Sequence, residues 1–348
     1  MPRLRRSTPA KPGITRRRAG KGWTYLDPDG SRVTAAEKAR IDALVIPPAW
    51  REVWICPWPN GHLQAIGTDA AGRRQYQYHD DWQAQRHHEK YRRVVTFGSR
   101  LPKARERVDT DLSGADLSRE RVLATAFRLL DVGHFRIGGE VYAETNGSFG
   151  LATIRRDQVR REKSDLVFDY TAKSGLHRIE RIHDEILLEV VAPLRARRGG
   201  PAELLAYREG RSWHRITGED INTYLKEVTG LEVSAKDFRT WHGTVLAAVA
   251  LAQEFAGHDP EKVWSQRAKA KAVRQAVVAV SDQLGNTPAV CRTSYINPAV
   301  VDAFEEGATI TSAVLRAERL LPADAPDPLH MLSLQPTVER AVLKLLRS

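Results

Sequence analysis

The chain has 348 residues, with 54 lysines and arginines against 43 aspartates and glutamates, a net charge of +11. An excess of that size favours a polyanionic partner, because each phosphate neutralised releases condensed counterions; a soluble protein that is merely basic is the plainer alternative. Two cysteines, Cys56 and Cys291, can build neither a disulfide framework nor a zinc site. No apolar run reaches the ~18 residues of a membrane span, so the expectation is a cytoplasmic protein.

Residues 1–22 hold eight lysines or arginines and no acid, interrupted by Pro2, Pro9 and Pro12. Such a tract cannot bury a core and is expected to be disordered, either lying along phosphates or serving only as a solubilising tail. From Trp23 the chain changes character. Short strand-like runs, a capping box at Thr34-x-x-Glu37 and turns at Asn60-Gly61 and Ala71-Gly72 predict a small, mostly antiparallel sheet domain over residues 23–92. Its end is placed in charged helical sequence between Trp82 and Arg93.

Residues 93–348 read as mainly helical. Val122, Leu123, Ala126, Leu129 and Leu130 keep helix spacing and stop at Gly133, an expected C-terminal cap. Leu166, Phe168 and Tyr170 then alternate, predicting a hairpin that turns at Ala172-Lys173-Ser174-Gly175. Helices resume after Thr217 and after Ser234, the second burying Phe238, Trp241, Val245 and Ala248. A long helix is expected from about Glu261 to Leu284 and a last one over Val338–Leu346. The fold class is therefore α+β.

The chemistry gathers around Leu284–Pro298, LGNTPAVCRTSYINP, where a helix stops at Gly285, Asn286 follows, and Tyr295 stands nine residues beyond the asparagine. A free tyrosine titrates near ~10, so its attack on phosphorus needs cations close by. Three candidates lie upstream: Arg136 in HFRIG, Lys173 at the hairpin tip, and Arg239 in AKDFRTW near a helix N-terminus. An arginine fork can bind two nonbridging oxygens; a lysine can protonate a departing oxygen. Each alone could be a salt-bridge arginine, a turn lysine or a packed tyrosine. Together they suit a DNA-cleaving and rejoining enzyme that needs no metal. AKSG is not a nucleotide-binding loop, since Val167 and Ala172 occupy positions where GxxxxGK[ST] needs glycine. The eleven histidines form no metal-binding spacing and are expected at the surface or near DNA.

Arg136 in FRIG, KDFRTW around Arg239, and GNTPAVCRTSY with Asn286 and Tyr295 resemble the type IB DNA topoisomerases, above all their short bacterial and viral branch. IPPAW (Ile46–Trp50), Val53–His79 and NGSFGLATIR (Asn146–Arg155) extend the likeness from Gly22 to the C-terminus. The resemblance implies a C-shaped DNA clamp made of a small β-rich N-terminal domain and a larger helical catalytic domain. It implies a monomer associated with the nucleoid that acts on double-stranded DNA without a cofactor. Tyr295 would form a 3′-phosphotyrosyl link, with Arg136, Arg239 and Asn286 on the nonbridging oxygens and Lys173, helped by Arg136, as the acid. Arg73, Arg74, Gln75, Tyr76 and Tyr78 would contact DNA. Asn286 replaces a histidine of many members, and Ala172, Gly139 and Phe149 replace an expected glycine, asparagine and tyrosine. A tyrosine recombinase, which carries HxxR where this chain has Lys236-Asp-Phe-Arg239, and a non-enzymatic nucleoid protein are the alternatives.

Overall fold

The computed structural model describes residues 3–258, 264–323 and 325–347, and the chain divides into two compact units, Met1–Arg92 and Arg93–Ser348. In the first, β1 (Ile14–Ala19), β2 (Gly22–Leu26), helix α1 (Ala35–Ala43), β3 (Arg51–Ile55), β4 (Leu63–Thr68) and β5 (Arg74–Tyr78) build a five-stranded antiparallel sheet in the order β2-β1-β3-β4-β5. Thr34 caps α1 by accepting from the Glu37 N–H. Ile14, Ile55 and Ala65 stand in register on one sheet face and pack with Ile41 of α1.

The expected disorder of residues 1–22 is overturned by this sheet. Ile14 is fully buried and β1 pairs with both β2 and β3. The basic side chains find partners outside the tract. Arg16 donates to the carbonyls of Pro47 (2.8 Å) and Trp50 (2.6 Å), its guanidinium 4.2 Å from the Trp23 ring centre, while Arg5 lies 3.6 Å over Trp58. Composition failed as a guide because the apolar surface and acceptors that order this segment belong to residues 23–66.

Helix α2 (Asp80–Leu112) carries the chain from the first unit into the second. There follow α3 (Arg119–Gly133), α4 (Glu140–Asn146), a three-stranded antiparallel sheet β6 (Val159–Glu162), β7 (Asp165–Thr171) and β8 (His177–His183), and α5 (Glu185–Ala196). A hairpin β9 (Ala206–Glu209) and β10 (Ser212–Arg215) precedes α6 (Gly218–Thr229), α7 (Ala235–Ala256), α8 (Gln266–Leu284), α9 (Pro288–Ser294), α10 (Pro298–Glu305), α11 (Thr311–Glu318), α12 (Pro328–Ser333) and α13 (Pro336–Leu345). The third strand β6 and the β9–β10 hairpin were not anticipated. The start expected for α8 near Glu261 lies outside the described residues.

The core of the second unit forms around α7. The sequence suggested one apolar stripe, but nearly every residue from Ala235 to Ala252 is buried, polar ones included, as befits a helix enclosed on all sides. A buried polar network ties its neighbours together. Arg105 on α2 pairs with Asp131 on α3 (2.7 Å) and Glu339 on α13 (2.5 Å), and Glu339 accepts from the Trp241 indole (2.9 Å). Burial by itself would raise the Asp131 carboxyl, but the Arg105 guanidinium overrides it and holds it well below the usual range.

Candidate active site

The site grows from the C-terminal end of α8. The last carbonyls of a helix lack intrahelical partners and carry the negative end of its dipole. Gly285 takes the left-handed conformation (φ +58°) that ends such a helix at little cost, and the Asn286 N–H returns to the Ser281 carbonyl at 3.1 Å. Every carbonyl beyond is met by a guanidinium. Arg178 on β8 donates to Asp282 (3.5 Å) and Gln283 (3.0 Å), Arg239 to Leu284 (2.7 Å), and Arg136 to Gly285 (2.9 Å) and to Oδ1 of Asn286 (2.5 Å). Three positive charges share one helix terminus, and its dipole offsets part of their repulsion.

Arg239 is the fifth residue of α7, just beyond the first turn in which it was expected. Ser234 and Asp237 close a reciprocal capping box ahead of it. Its side chain is buried, 3% exposed, and besides Leu284 it donates to the carbonyl of His134. His134, one residue past the expected cap Gly133, is the residue in the left-handed region (φ 51°). Burial first, and then the neighbouring Arg136, draw Arg239 below its ordinary pKa; a guanidinium nonetheless keeps its charge at neutral pH.

Tyr295 closes α9, a short helix capped by Thr287 and entered through Pro288. Its ring lies 5.1 Å from the Arg239 guanidinium. Helix α7 also holds its backbone. Thr244 Oγ1 accepts from the Asn297 N–H (3.1 Å), and its one proton lies between the Thr240 carbonyl (2.7 Å) and the Tyr295 carbonyl (3.3 Å). A Cβ at Gly243 would press on this seat, 3.0 Å from the Tyr295 carbonyl and 3.1 Å from its Cβ, so Tyr295 would have to yield by tenths of an ångström. Arg239 and Gly243 are one turn apart, so a single helix face carries both the cation and the seat of the phenol. Cys291 is fully buried one turn before Tyr295, and burial pushes its thiol up to about 11, which leaves it a poor competing nucleophile.

Asn286 faces Arg136 with its carbonyl oxygen, since an arginine offers only donors. The amide Nδ2 therefore points away from Arg136, lies 3.3 Å from the Leu284 carbonyl and faces the Cys291 thiol. Arg136, Arg239, Asn286 and Tyr295 are thus assembled. Lys173 is not joined to them. It is exposed at the β7–β8 tip and has no hydrogen-bond partner among the described residues. The turn is closed by the Ala172 N–H on Leu176 (2.7 Å). Ala172 has φ −90°, so alanine meets no backbone penalty where the family resemblance suggested glycine.

In the first unit, cross-strand neighbours share a sheet face. Arg17, Trp54, Tyr76 and, by alternation, Arg74 and Tyr78 line one side. Tyr76 and Tyr78 are exposed and their rings stack 6.4 Å apart. Gln75 points to the opposite side and donates to Asp69 (2.9 Å), the carboxylate that also pairs with Arg73. The five residues expected on one DNA surface therefore fall into two groups.

Residues 79–316 match the family described as the catalytic core of eukaryotic DNA topoisomerase I, and residues 22–69 match the N-terminal domain of bacterial DNA topoisomerase IB. The chain belongs to the type IB DNA topoisomerases. A curated relative, DNA topoisomerase 1B of Acanthamoeba polyphaga mimivirus, is 29% identical over 290 residues, 82% of this chain and 85% of the relative. As a type IB topoisomerase the chain is an isomerase of DNA topology.

Several residues of this topoisomerase escaped the sequence reading. Arg178 and Thr244 sit in patterns that advertise only a strand and a helix. Of the histidines expected at the surface or near DNA, His134 and His242 are buried and His330 is half-buried, the rings of the last two centred 5.1 and 4.7 Å from His134. Among the described residues no group of three or more histidine, cysteine or acidic side chains is arranged to hold a metal ion.

Proposed function

We propose that the chain relaxes supercoiled duplex DNA through a transient 3′-phosphotyrosyl link at Tyr295. The observation that carries this reading is the Arg239 guanidinium, braced by two carbonyls, over the Tyr295 ring and beside the Arg136–Asn286 pair. Tyr295 Oη bonds to phosphorus, the P–O5′ bond breaks, the phenolic proton leaves to solvent, and Lys173 Nζ gives a proton to O5′. Arg136, Arg239 and Nδ2 of Asn286, which is held only by a long 3.3 Å contact to the Leu284 carbonyl and by Cys291, meet the nonbridging oxygens, where preorganised donors act most strongly. The strand rotates and the 5′-hydroxyl reverses the step. The covalent link conserves the bond energy, so no nucleotide is required.

Arg17, Arg74, Tyr76 and Tyr78 supply cations for the backbone and aromatic faces for the sugar–base edge. We infer a monomer that works on the nucleoid in the cytoplasm; the chain's basic excess and its two buried free thiols fit such a compartment. The test uses supercoiled plasmid with chelator and without ATP. Wild-type protein relaxes the plasmid, and denaturant traps DNA on the peptide containing Tyr295. Tyr295→Phe keeps salt-sensitive binding and loses relaxation by roughly 10⁴-fold or more. Full relaxation by that variant removes Tyr295 from the reaction.

A further inference from the structure

The geometry points to Arg178 as a positioning residue for the leaving-group proton, an inference that rests on Lys173 being the acid. Strand β8 reads HRIERIH, and alternation turns Arg178, Glu180 and Ile182 inward while His177, Ile179 and Arg181 face out. Arg178 is 16% exposed and pairs with Glu180, itself 17% exposed. That partner is two residues along the same strand face and holds the fork in one orientation. Burial raises the Glu180 carboxyl, and the Arg178 charge pulls it back.

The fork ends on the Asp282 and Gln283 carbonyls, immediately before the carbonyls that hold Arg239 and Arg136. The fit is close. A Cβ on Gly285 would lie 2.3 Å from Arg178 Nη1. Arg178 stands opposite Tyr170 in the hairpin register, three residues before Lys173 on the other strand. At about 3.3 Å per residue the tip projects roughly 10 Å beyond this dock. Strand β7 is fixed to the core by Phe168 and Tyr170 against Phe135. Arg178 is the β8 side chain that ties the hairpin to the helix end where the phosphate-facing donors are anchored. It thereby sets where an otherwise unheld lysine meets O5′, without touching the reacting atoms.

The full-length protein is tested in single-turnover cleavage of two duplexes, one with the ordinary 5′ oxygen at the scissile bond and one with sulfur in its place. A thiolate leaves without a proton, because a thiol titrates near ~8.5, so the sulfur duplex bypasses the acid. Arg178→Ala is expected to cut the oxygen duplex roughly 10- to 100-fold more slowly and the sulfur duplex within about threefold of wild type, with unchanged noncovalent DNA affinity. Arg178→Lys, which keeps the charge but not the fork, should show a smaller loss of the same selectivity. Equal slowing on both duplexes, or no slowing on either, overturns the assignment. Lys173→Ala run beside them separates the two levels. If sulfur rescues Lys173→Ala but not Arg178→Ala, only the positioning role falls; if sulfur fails to rescue Lys173→Ala, the acid assignment falls and takes this inference with it.

Discussion

The guanidinium corner and the lysine tip, both parts of the second unit, are built on opposite plans. Arg239 is buried, spans two main-chain carbonyls, and lies over the ring of Tyr295, which α7 in turn grips by its backbone. Lys173 is exposed on a five-residue turn and is held only through the strands behind it. Groups that must meet charge wherever it develops gain from being fixed before the substrate arrives. A proton donor, the role proposed for Lys173, needs only to reach one oxygen. Under the proposed roles, the difference teaches that the groups meant for the phosphate oxygens are fixed in advance while the group meant for the leaving oxygen is left exposed.

The sharpest way to break that comparison is Arg239→Ala. Single-turnover cleavage should fall by roughly 10³-fold or more, and leaving two inward carbonyls unmatched should also lower stability by about 2–4 kcal/mol; Lys173→Ala should slow cleavage yet leave the melting temperature unmoved. A melting temperature equally lowered in both variants would erase the distinction. Next in size is Asn286→Ala, which removes the proposed amide donor and the acceptor of Arg136 together. Its cleavage rate should drop about 10²–10³-fold, and an unchanged rate would reject its place among the oxygen donors.

Gly243→Ala comes third. The added methyl presses on the Tyr295 carbonyl and Cβ at 3.0 and 3.1 Å, so about a tenfold loss in cleavage with intact DNA binding is expected, displacement by tenths of an ångström being costly to alignment. Wild-type kinetics in this variant would mean that the phenol is not seated by α7. The smallest effect is on pH. Burial holds the imidazoles of His134 and His330 neutral, below the ordinary 6.5. The unfolded chain takes up those protons first. Stability is therefore fully present above about pH 6.5 and is lost as the pH falls below it, by up to about 1.4 kcal/mol per pH unit for each histidine. Around them lie His242, Asp131, Asp327, Arg239 and Arg178. Melting curves at pH 7.5, 6 and 5 should shift downward, and His330→Gln should flatten the shift; a pH-independent melting temperature would refute the neutral cluster.

Much of the candidate site was legible because its residues stand in short, chemically uneven stretches. Gly285-Asn286-Thr287-Pro288 ends one helix and begins the next, the Lys173 turn interrupts strict alternation, and Arg239 sits where an apolar helix has no evident use for a charge. Residues 1–22 misled for the opposite reason. Arginine density reads as solvated chain until indole faces and free carbonyls from elsewhere are brought alongside. Gln75 was grouped with Tyr76 because adjacency in sequence does not reveal which side of a strand meets Asp69.

Local order, then, came from the chain itself: caps, turns, strand alternation and the candidate reactive side chains are written within ten residues of each feature, where backbone sterics and hydrogen-bond chemistry act. What only the tertiary structure decided is which carbonyls receive which arginines. The end of α8 is reached by Arg136 from a loop, Arg178 from a strand and Arg239 from a helix, and no local rule links positions that far apart. Long-range packing around α7 brought them to one helix terminus, where otherwise unmatched carbonyls and a helix dipole make a cluster of like charges stable.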